Sequence, residues 1–153
     1  MGEGTSIAIS SLILAGLSGV LMAVQGSINA SLGKVTGVWE ATFIVHVIAV
    51  AALSIMLFMM HIGDGSLLKL QQAPWYSYLG GIISVFIIYL VALSIPRLGT
   101  ANATTAIIIG QVFMAGIIDY FGLFGLKQLH FGWQQAFGIL LLAIGAKLLL
   151  NDL

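Results

Sequence analysis

The sequence predicts an all-α membrane protein with five transmembrane helices. Of its 153 residues, 60% are hydrophobic and only 7% are charged, whereas soluble domains carry about a quarter charged residues. The mean hydropathy is +1.14. A bilayer core about 30 Å thick needs roughly 20 apolar helical residues to cross it. Five runs have about this length, and together they predict one transmembrane domain over residues 1–153: 5–25, 41–60, 75–95, 103–120 and 131–150.

The runs are separated by short breaks rich in Gly, Pro and polar residues. The first run is preceded by Glu3 rather than by Lys or Arg, and it is longer than the apolar region of a secretory signal, so we expect it to be retained. A tryptophan lies near the ends of several runs, as is typical of an interfacial aromatic belt. The breaks that we expect are 31–37, 63–65, 74, 96–99 and 122–130.

Several classes of function are excluded by composition. Five Lys/Arg balance five Asp/Glu, and no basic tract is present, so we expect no nucleic-acid partner. The chain has no Cys and three scattered His, which make a poor metal-ligand set. No nucleotide-binding, zinc-protease or serine-hydrolase motif occurs. We therefore predict no cofactor, no metal and no enzymatic activity, and we exclude ATP-driven transport by this chain alone.

The charge distribution gives little preference for one orientation in the membrane. An odd number of spans places the two chain ends on opposite sides. Two cations would then lie on the N-terminal side and three on the other, namely Lys69 and Lys127 against Lys34, Arg97 and Lys147. Because orientation depends on an excess of Lys and Arg on one side, the sequence predicts dual topology and an antiparallel homodimer, in which the chain is one half of a ten-helix inverted-repeat transporter. A single, weakly set orientation is the alternative.

Ionisable groups inside spans are costly and usually functional. Glu40, Asp119 and His46 are therefore candidates for proton coupling. Glu40 has a structural alternative, an interfacial carboxylate at a helix N-terminus that forms an ion pair with Arg97. Asp119 ends the fourth run, where the helix dipole disfavours a carboxylate, so we expect it to contact a cation, donors or a substrate. His46 is either a hydrogen-bonded core histidine or, because the histidine side chain in general can change its charge near neutral pH, a proton-coupling group.

Uncharged polar residues follow one stripe on each of two runs. Ser11, Ser18 and Gln25 are seven residues apart, and Asn29 follows four residues later. On the fourth run Thr104 and Gln111 are seven residues apart, and the charged residue Asp119 follows eight residues later. Such residues either form hydrogen bonds between helices or line a cavity.

Several motifs, taken in order, resemble the short five-span bacterial branch of the drug/metabolite transporter superfamily, long catalogued as a domain of unknown function. The resemblance implies a bacterial inner-membrane protein whose relatives occur as single short chains, paired short chains or fused ten-span proteins with oppositely oriented halves. It also implies that the matched polar positions Gln25, Asn29, Gln111 and Asp119 bind substrate. The motifs are Gly16, the segment 25–33, Pro74-Trp75 with Gly80-Gly81, the segment 96–101, Gly110-Gln111 and the segment 119–125.

Together these observations predict a secondary transporter that exports a small organic solute by alternating access. Its partners would be the lipid bilayer, a second copy in inverted orientation and the small-molecule substrate. A dual-topology ion channel and a subunit that requires a different short partner are the alternative functions.

Overall fold

The computed structural model describes residues 2–129 and 132–150, and within them every regular element is helical. Four short elements connect or extend the long helices: the π-helical turn Ile55–Met59 and the 3₁₀ helices Leu67–Gln72, Trp75–Tyr78 and Leu123–Gly125. The five α-helices are α1 (Gly2–Thr36), α2 (Val38–Ser54), α3 (Leu79–Leu98), α4 (Thr100–Phe121) and α5 (Trp133–Leu149). The prediction of an all-α chain is confirmed.

Within the described residues, four helices are long and apolar enough to cross a membrane, and the fifth is shorter. The four candidate spans are Ile7–Thr36, Val38–Met59, Trp75–Leu98 and Thr100–Phe121. Helix α5 is apolar and has 17 residues, which gives it a length of about 26 Å at 1.5 Å per residue. The predicted fifth run is therefore helical, although its described part falls short of a bilayer core about 30 Å thick.

Two of the predicted breaks are much shorter than expected. The segment 31–37 is helical up to Thr36, and only Gly37 lies outside a helix, with φ 98°. In the same way α3 continues through Pro96 to Leu98, and the chain turns at Gly99 with φ 80°. Glycine takes these left-handed conformations without steric cost, so a single residue suffices for each turn.

Charged residues at four helix ends agree with the helix dipole. Glu40 lies in the first turn of α2, where the positive end of the dipole stabilises a carboxylate. Cations lie in the last turns of three helices, as that dipole favours: Lys34 on α1, Arg97 on α3 and Lys147 on α5.

The chain divides into two compact units, Met1–Pro96 and Arg97–Leu153. In the first unit, the C-terminal part of α1 packs closely on α2 and α3. A Cβ atom at Gly33 would lie 3.5 Å from the Val38 Cα atom, and one at Gly26 would lie 2.8 Å from Val91 Cγ1 and 3.0 Å from Ile95 Cδ1. Small residues thus allow these helices to approach closely, as is typical of packing within membranes. In the second unit α4 packs on α5.

Replacing Gly26 with Ala should weaken the packing of α1 on α3. The new methyl group would overlap Val91, whose branched side chain has one strongly preferred rotamer in a helix, and such overpacking costs about 1–3 kcal/mol. Gly16→Ala is the matched control, because a Cβ atom at Gly16 would have no neighbour within 4 Å and alanine favours the helix by up to about 1 kcal/mol. Thermal unfolding in detergent should give a lower midpoint for Gly26→Ala than for Gly16→Ala. Equal midpoints would contradict the α1–α3 contact.

Candidate functional site

Gln25 and Asn29 line one groove on α1. The groove has a volume of about 380 Å³, and its lining also includes four apolar residues, Leu21, Met22, Val24 and Ile28. Asn29 is only 6% exposed, whereas Gln25, one helical turn earlier, is exposed. The structure therefore brings together two of the predicted substrate-binding residues, one at the packed end of the groove and one at its open side.

The N-terminal part of the predicted polar stripe on α1 does not contribute to this groove. The hydroxyl of Ser11 donates a hydrogen bond to the Ile7 carbonyl (2.9 Å), and that of Ser18 donates to the Ala15 carbonyl (2.7 Å). Both serines are exposed. Because each hydroxyl is satisfied by its own helix, neither needs a partner on another helix.

Asp119 lies in a second groove, between α4 and α5. The groove has a volume of about 340 Å³ and is lined by Val112, Ala115, Gly116 and Asp119 from α4 and by Gln135, Gly138 and Ile139 from α5. Asp119 is half-buried. Its carboxylate and the Gln135 amide are the two groups in this lining with both polar atoms and side-chain reach, so together they could accept and donate hydrogen bonds to a solute.

The connection that follows α4 folds back onto the C-terminal end of that helix. Gly122 ends the helix in the left-handed conformation with φ 60°, and its N–H donates to the Ile118 carbonyl. The Leu129 N–H donates to the Asp119 carbonyl (2.9 Å), and the Gln128 side-chain amide donates to the Tyr120 carbonyl (2.7 Å). Three of the last four carbonyl groups of α4 thus accept hydrogen bonds from the chain itself, which fixes the backbone position of Asp119.

Asp119 opposes the dipole of its own helix. It lies in the last turn of α4, which carries no basic residue in that turn, and a carboxylate is disfavoured at this negative end. The other charged residues in terminal helical turns considered above all agree with their dipoles. A carboxylate retained at such a position is a candidate for binding a proton or a solute.

Gln111 is exposed on α4 and is not part of the described lining of the Asp119 groove. Its predicted role in substrate binding stays a prediction. The two residues are eight positions apart, and the structure gives them different surroundings, since Asp119 is half-buried.

Glu40 bends back over the turn that precedes its helix. Its carboxylate lies so close to Gly37 that a Cβ atom there would overlap Oε2. This position at the N-terminus of α2 fits the interfacial alternative, because the free N–H groups of the first turn attract negative charge. Arg97 is exposed in the last turn of α3, and its ion pair with Glu40 stays a prediction.

His46 connects α2 to α3. Its Nδ1 atom donates a hydrogen bond to the Thr42 carbonyl (2.7 Å), and its Nε2 atom lies 3.1 Å from the Ser84 hydroxyl oxygen. The Ser84 hydroxyl in turn donates to the Gly81 carbonyl (2.7 Å). A second link lies nearby, where the rings of Trp39 and Tyr89 stack with their centroids 4.1 Å apart.

The sequence analysis missed Ser84 and Gln135. Gln135 belongs to a Gln-Gln pair near the start of the fifth run, shortly after the break 122–130. Such a pair at the start of a span is a signal that could have placed it at a groove mouth. Ser84 is one of three serines in the apolar run 75–95. Only the register between α2 and α3 shows that it contacts His46.

The long apolar helices are those of a multi-pass membrane protein. The chain belongs to the family described as "Putative inner membrane exporter, YdcZ", whose model matches residues 10–148. This match confirms the resemblance to a bacterial drug/metabolite transporter branch and places the protein in the inner membrane. No curated protein and no solved structure matches the chain.

Neutralising Asp119 should stabilise the fold, whereas neutralising Glu40 should destabilise it. Asp119→Asn removes an unfavourable interaction with the end of α4, and Glu40→Gln removes a favourable one with the start of α2; each is worth about 0.3–1 kcal/mol. Chemical unfolding of the purified protein at neutral pH would measure both changes. A destabilised Asp119→Asn variant would show instead that the carboxylate is held by a structural partner.

Proposed function

We propose that the protein is a secondary exporter of a small organic solute, which works by alternating access as an antiparallel homodimer. The observation that carries this proposal is the match of an inner-membrane exporter family to residues 10–148. In the assembly, two copies in opposite orientation supply ten helices, and rocking of one copy against the other exposes a shared midplane cavity to each side in turn.

The two grooves support a site that is completed by a second copy. Each groove is open and lined mostly by apolar side chains, and each has its polar groups concentrated in two residues, Gln25 with Asn29 and Asp119 with Gln135. Solute sites are typically enclosed, mainly apolar and equipped with a few polar groups that fix orientation. An inverted copy laid over either groove would enclose that groove.

Proton coupling would require an ionisable group that binds either a proton or the solute. Asp119 fits this role, because it is half-buried in a groove and opposes its helix dipole. Glu40 and His46 remain the other candidates. With competition between proton and solute at one group, the proton gradient would drive efflux.

Topology is directly testable, because the chain has no cysteine of its own. Single cysteines at Val35, in the last turn of α1, and at Gly65, in the α2–α3 connection, would lie on opposite sides of the membrane in any one chain. Both positions are exposed, and neither change alters the Lys/Arg balance. Dual topology predicts that each variant is labelled in part from outside intact cells. Complete labelling of one and none of the other would overturn the antiparallel arrangement.

Transport can be tested once a probe solute is chosen. Purified protein would be screened by thermal shift against organic cations, amino acids, sugars and nucleosides, because a ligand that binds the folded state raises its apparent stability. The radiolabelled form of the compound with the largest shift would then serve in counterflow with proteoliposomes. Loss of a hydrogen bond worth about 0.5–1.5 kcal/mol should reduce counterflow roughly two- to tenfold in Gln25→Ala, Gln111→Ala and Asp119→Asn.

Ser18→Ala is the matched control for these variants, because the Ser18 hydroxyl is exposed and satisfied by its own helix. It should leave counterflow unchanged. Unchanged counterflow in a variant that lacks all three polar groups would reject the proposed site. Electrical currents far above transporter turnover, without solute exchange, would identify a channel.

A further inference from the structure

The groove that contains Asp119 adjoins a second groove on the same pair of helices. The second groove has a volume of about 380 Å³ and shares Gly116 and Ile139 with the first. Because glycine carries no side chain, the shared lining contains only one side chain, that of Ile139. The two grooves together therefore offer a solute one charged end and one end formed by apolar and aromatic residues. The residues at the second end are Phe113, Ile117, Tyr120 and Phe121.

The charged end of this surface is negative. Its described lining carries one charged side chain, the Asp119 carboxylate. The negative end of the α4 dipole lies at the same place, and the last turn of α4 has no basic residue to offset it. Lys127 belongs to the connection that follows, but it is exposed and lies outside the described lining. A cationic group on a solute is thus attracted by the carboxylate and by the helix end, and an anionic group is repelled by both.

Gln135 leaves this charge balance negative. Its side-chain oxygen accepts a hydrogen bond from the Gly132 N–H (3.0 Å). Since a backbone N–H only donates, the oxygen rather than the nitrogen of the amide must face it. The amide NH₂ group remains to donate to an uncharged acceptor on the solute or to the carboxylate. It is neutral, so it does not cancel the charge of Asp119.

The lining suits an organic cation better than a metal ion. Ca²⁺ and Mg²⁺ take about six or more oxygen ligands, whereas the side chains of the described lining supply one carboxylate and one amide. Within the described residues, no group of three or more His, Cys, Asp or Glu could hold a metal ion. An organic cation instead brings an apolar body that the other lining residues can cover. The exposed rings of Phe113 and Tyr120 add aromatic faces, which attract cations.

The charged end lies where a cation can reach it. Asp119 is two residues before the end of α4, which corresponds to about 3 Å along the helix axis. In a chain that crosses the membrane, this position lies near one surface of the bilayer. A cation therefore reaches Asp119 without crossing the apolar core, where an unpaired charge is costly.

We propose that the α4–α5 face binds a hydrophobic organic cation, with the cationic group beside Asp119 and the apolar body extending past Ile139 toward Phe113 and Tyr120. This names the solute class of the proposed function and rests on that function for one point, that the bound cation is exported. In an antiparallel pair, each copy would bring its Asp119 to a different surface of the membrane. One such site would then serve loading and the other release.

Three soluble probes of similar size separate charge from shape: benzyltrimethylammonium, the neutral benzyl methyl sulfone and the anionic phenylmethanesulfonate. Calorimetric titration of the full-length protein in phosphatidylcholine nanodiscs, with empty nanodiscs as the blank, would measure their affinities. Benzyltrimethylammonium should bind at least about tenfold more tightly than the other two, because only it is attracted by the carboxylate. Failure of this cation to bind, or equal binding of the cation and the sulfone, overturns the proposal.

Substitution of Asp119 tests where the cation binds. Asp119→Asn should weaken the binding of benzyltrimethylammonium about tenfold, since it removes the charge and keeps the size of the side chain. Asp119→Glu keeps the charge and should retain most of the affinity. Lys34→Gln changes the net charge of the chain by the same amount and sign, at the end of α1, and should leave the affinity unchanged. An affinity that is the same in Asp119→Asn as in the unaltered protein excludes this site.

The apolar part of the site is tested on α5. A Cβ atom at Gly138 or at Gly145 would meet nothing within 4 Å. Gly138 lines the Asp119 groove, whereas Gly145, seven residues later on the same helix, lies outside its described lining. Gly138→Leu should occupy part of the groove and weaken binding of benzyltrimethylammonium severalfold. Gly145→Leu is the matched control and should leave the affinity unchanged; equal effects of the two substitutions contradict binding in this groove.

Counterflow in proteoliposomes separates this inference from the proposed function. If the sulfone or the sulfonate exchanges and benzyltrimethylammonium neither binds nor exchanges, the solute class is wrong and the exporter function stands. If benzyltrimethylammonium binds in a manner that depends on Asp119, but neither it nor any compound of the thermal-shift screen exchanges, the exporter function fails and the cation site stands.

Discussion

The structure depends on one constraint, that every backbone polar group within the membrane must be satisfied inside the protein. The long helices satisfy these groups along their length. The single-residue turns at Gly37, between α1 and α2, and at Gly99, between α3 and α4, satisfy further groups at the helix ends. At Gly37 the N–H donates to the Gly33 carbonyl while the carbonyl accepts from Ala41, so the hydrogen bonding of α1 continues almost without interruption into α2. The Gly99 carbonyl accepts from Ala103 in the same manner. Turns of this kind leave few backbone groups that need water.

Close packing of the helices against one another within lipid depends on small residues. Among the residues whose burial the structure describes, the buried apolar ones are alanines with a single larger exception, namely Ala30, Ala41, Ala92, Ala103 and Ala146 together with Ile95. Large apolar side chains such as Leu14, Phe43 and Phe113 are exposed. Lipid tails are as apolar as these side chains, so no hydrophobic force drives them inward. Helices instead associate where small residues let their backbones approach.

The sequence predicted the helices well and their ends poorly, for a physical reason. Hydropathy measures how long a segment stays apolar, so it found all five helices. At the end of α1, however, Lys34 and Thr36 are polar but helical, because a basic residue in the last turn is favoured by the dipole. The polar stretch marks where the membrane interface is expected, and the helix itself ends at Gly37, where the backbone conformation changes.

The candidate site was predictable where it depends on one helix and unpredictable where it depends on two. The spacing of Gln25 and Asn29 places them on one face of α1, and they line one groove. The approach of Gln135 to Asp119 depends on how α5 packs against α4. Likewise, Ser11 and Ser84 look alike in sequence, each a serine in an apolar run. Both lie within hydrogen-bond distance of a carbonyl of their own helix, but the oxygen of Ser84 also lies 3.1 Å from the Nε2 atom of His46 on α2. The contact between Ser84 and His46 depends on the register of α3 against α2, which the sequence of either helix alone does not give.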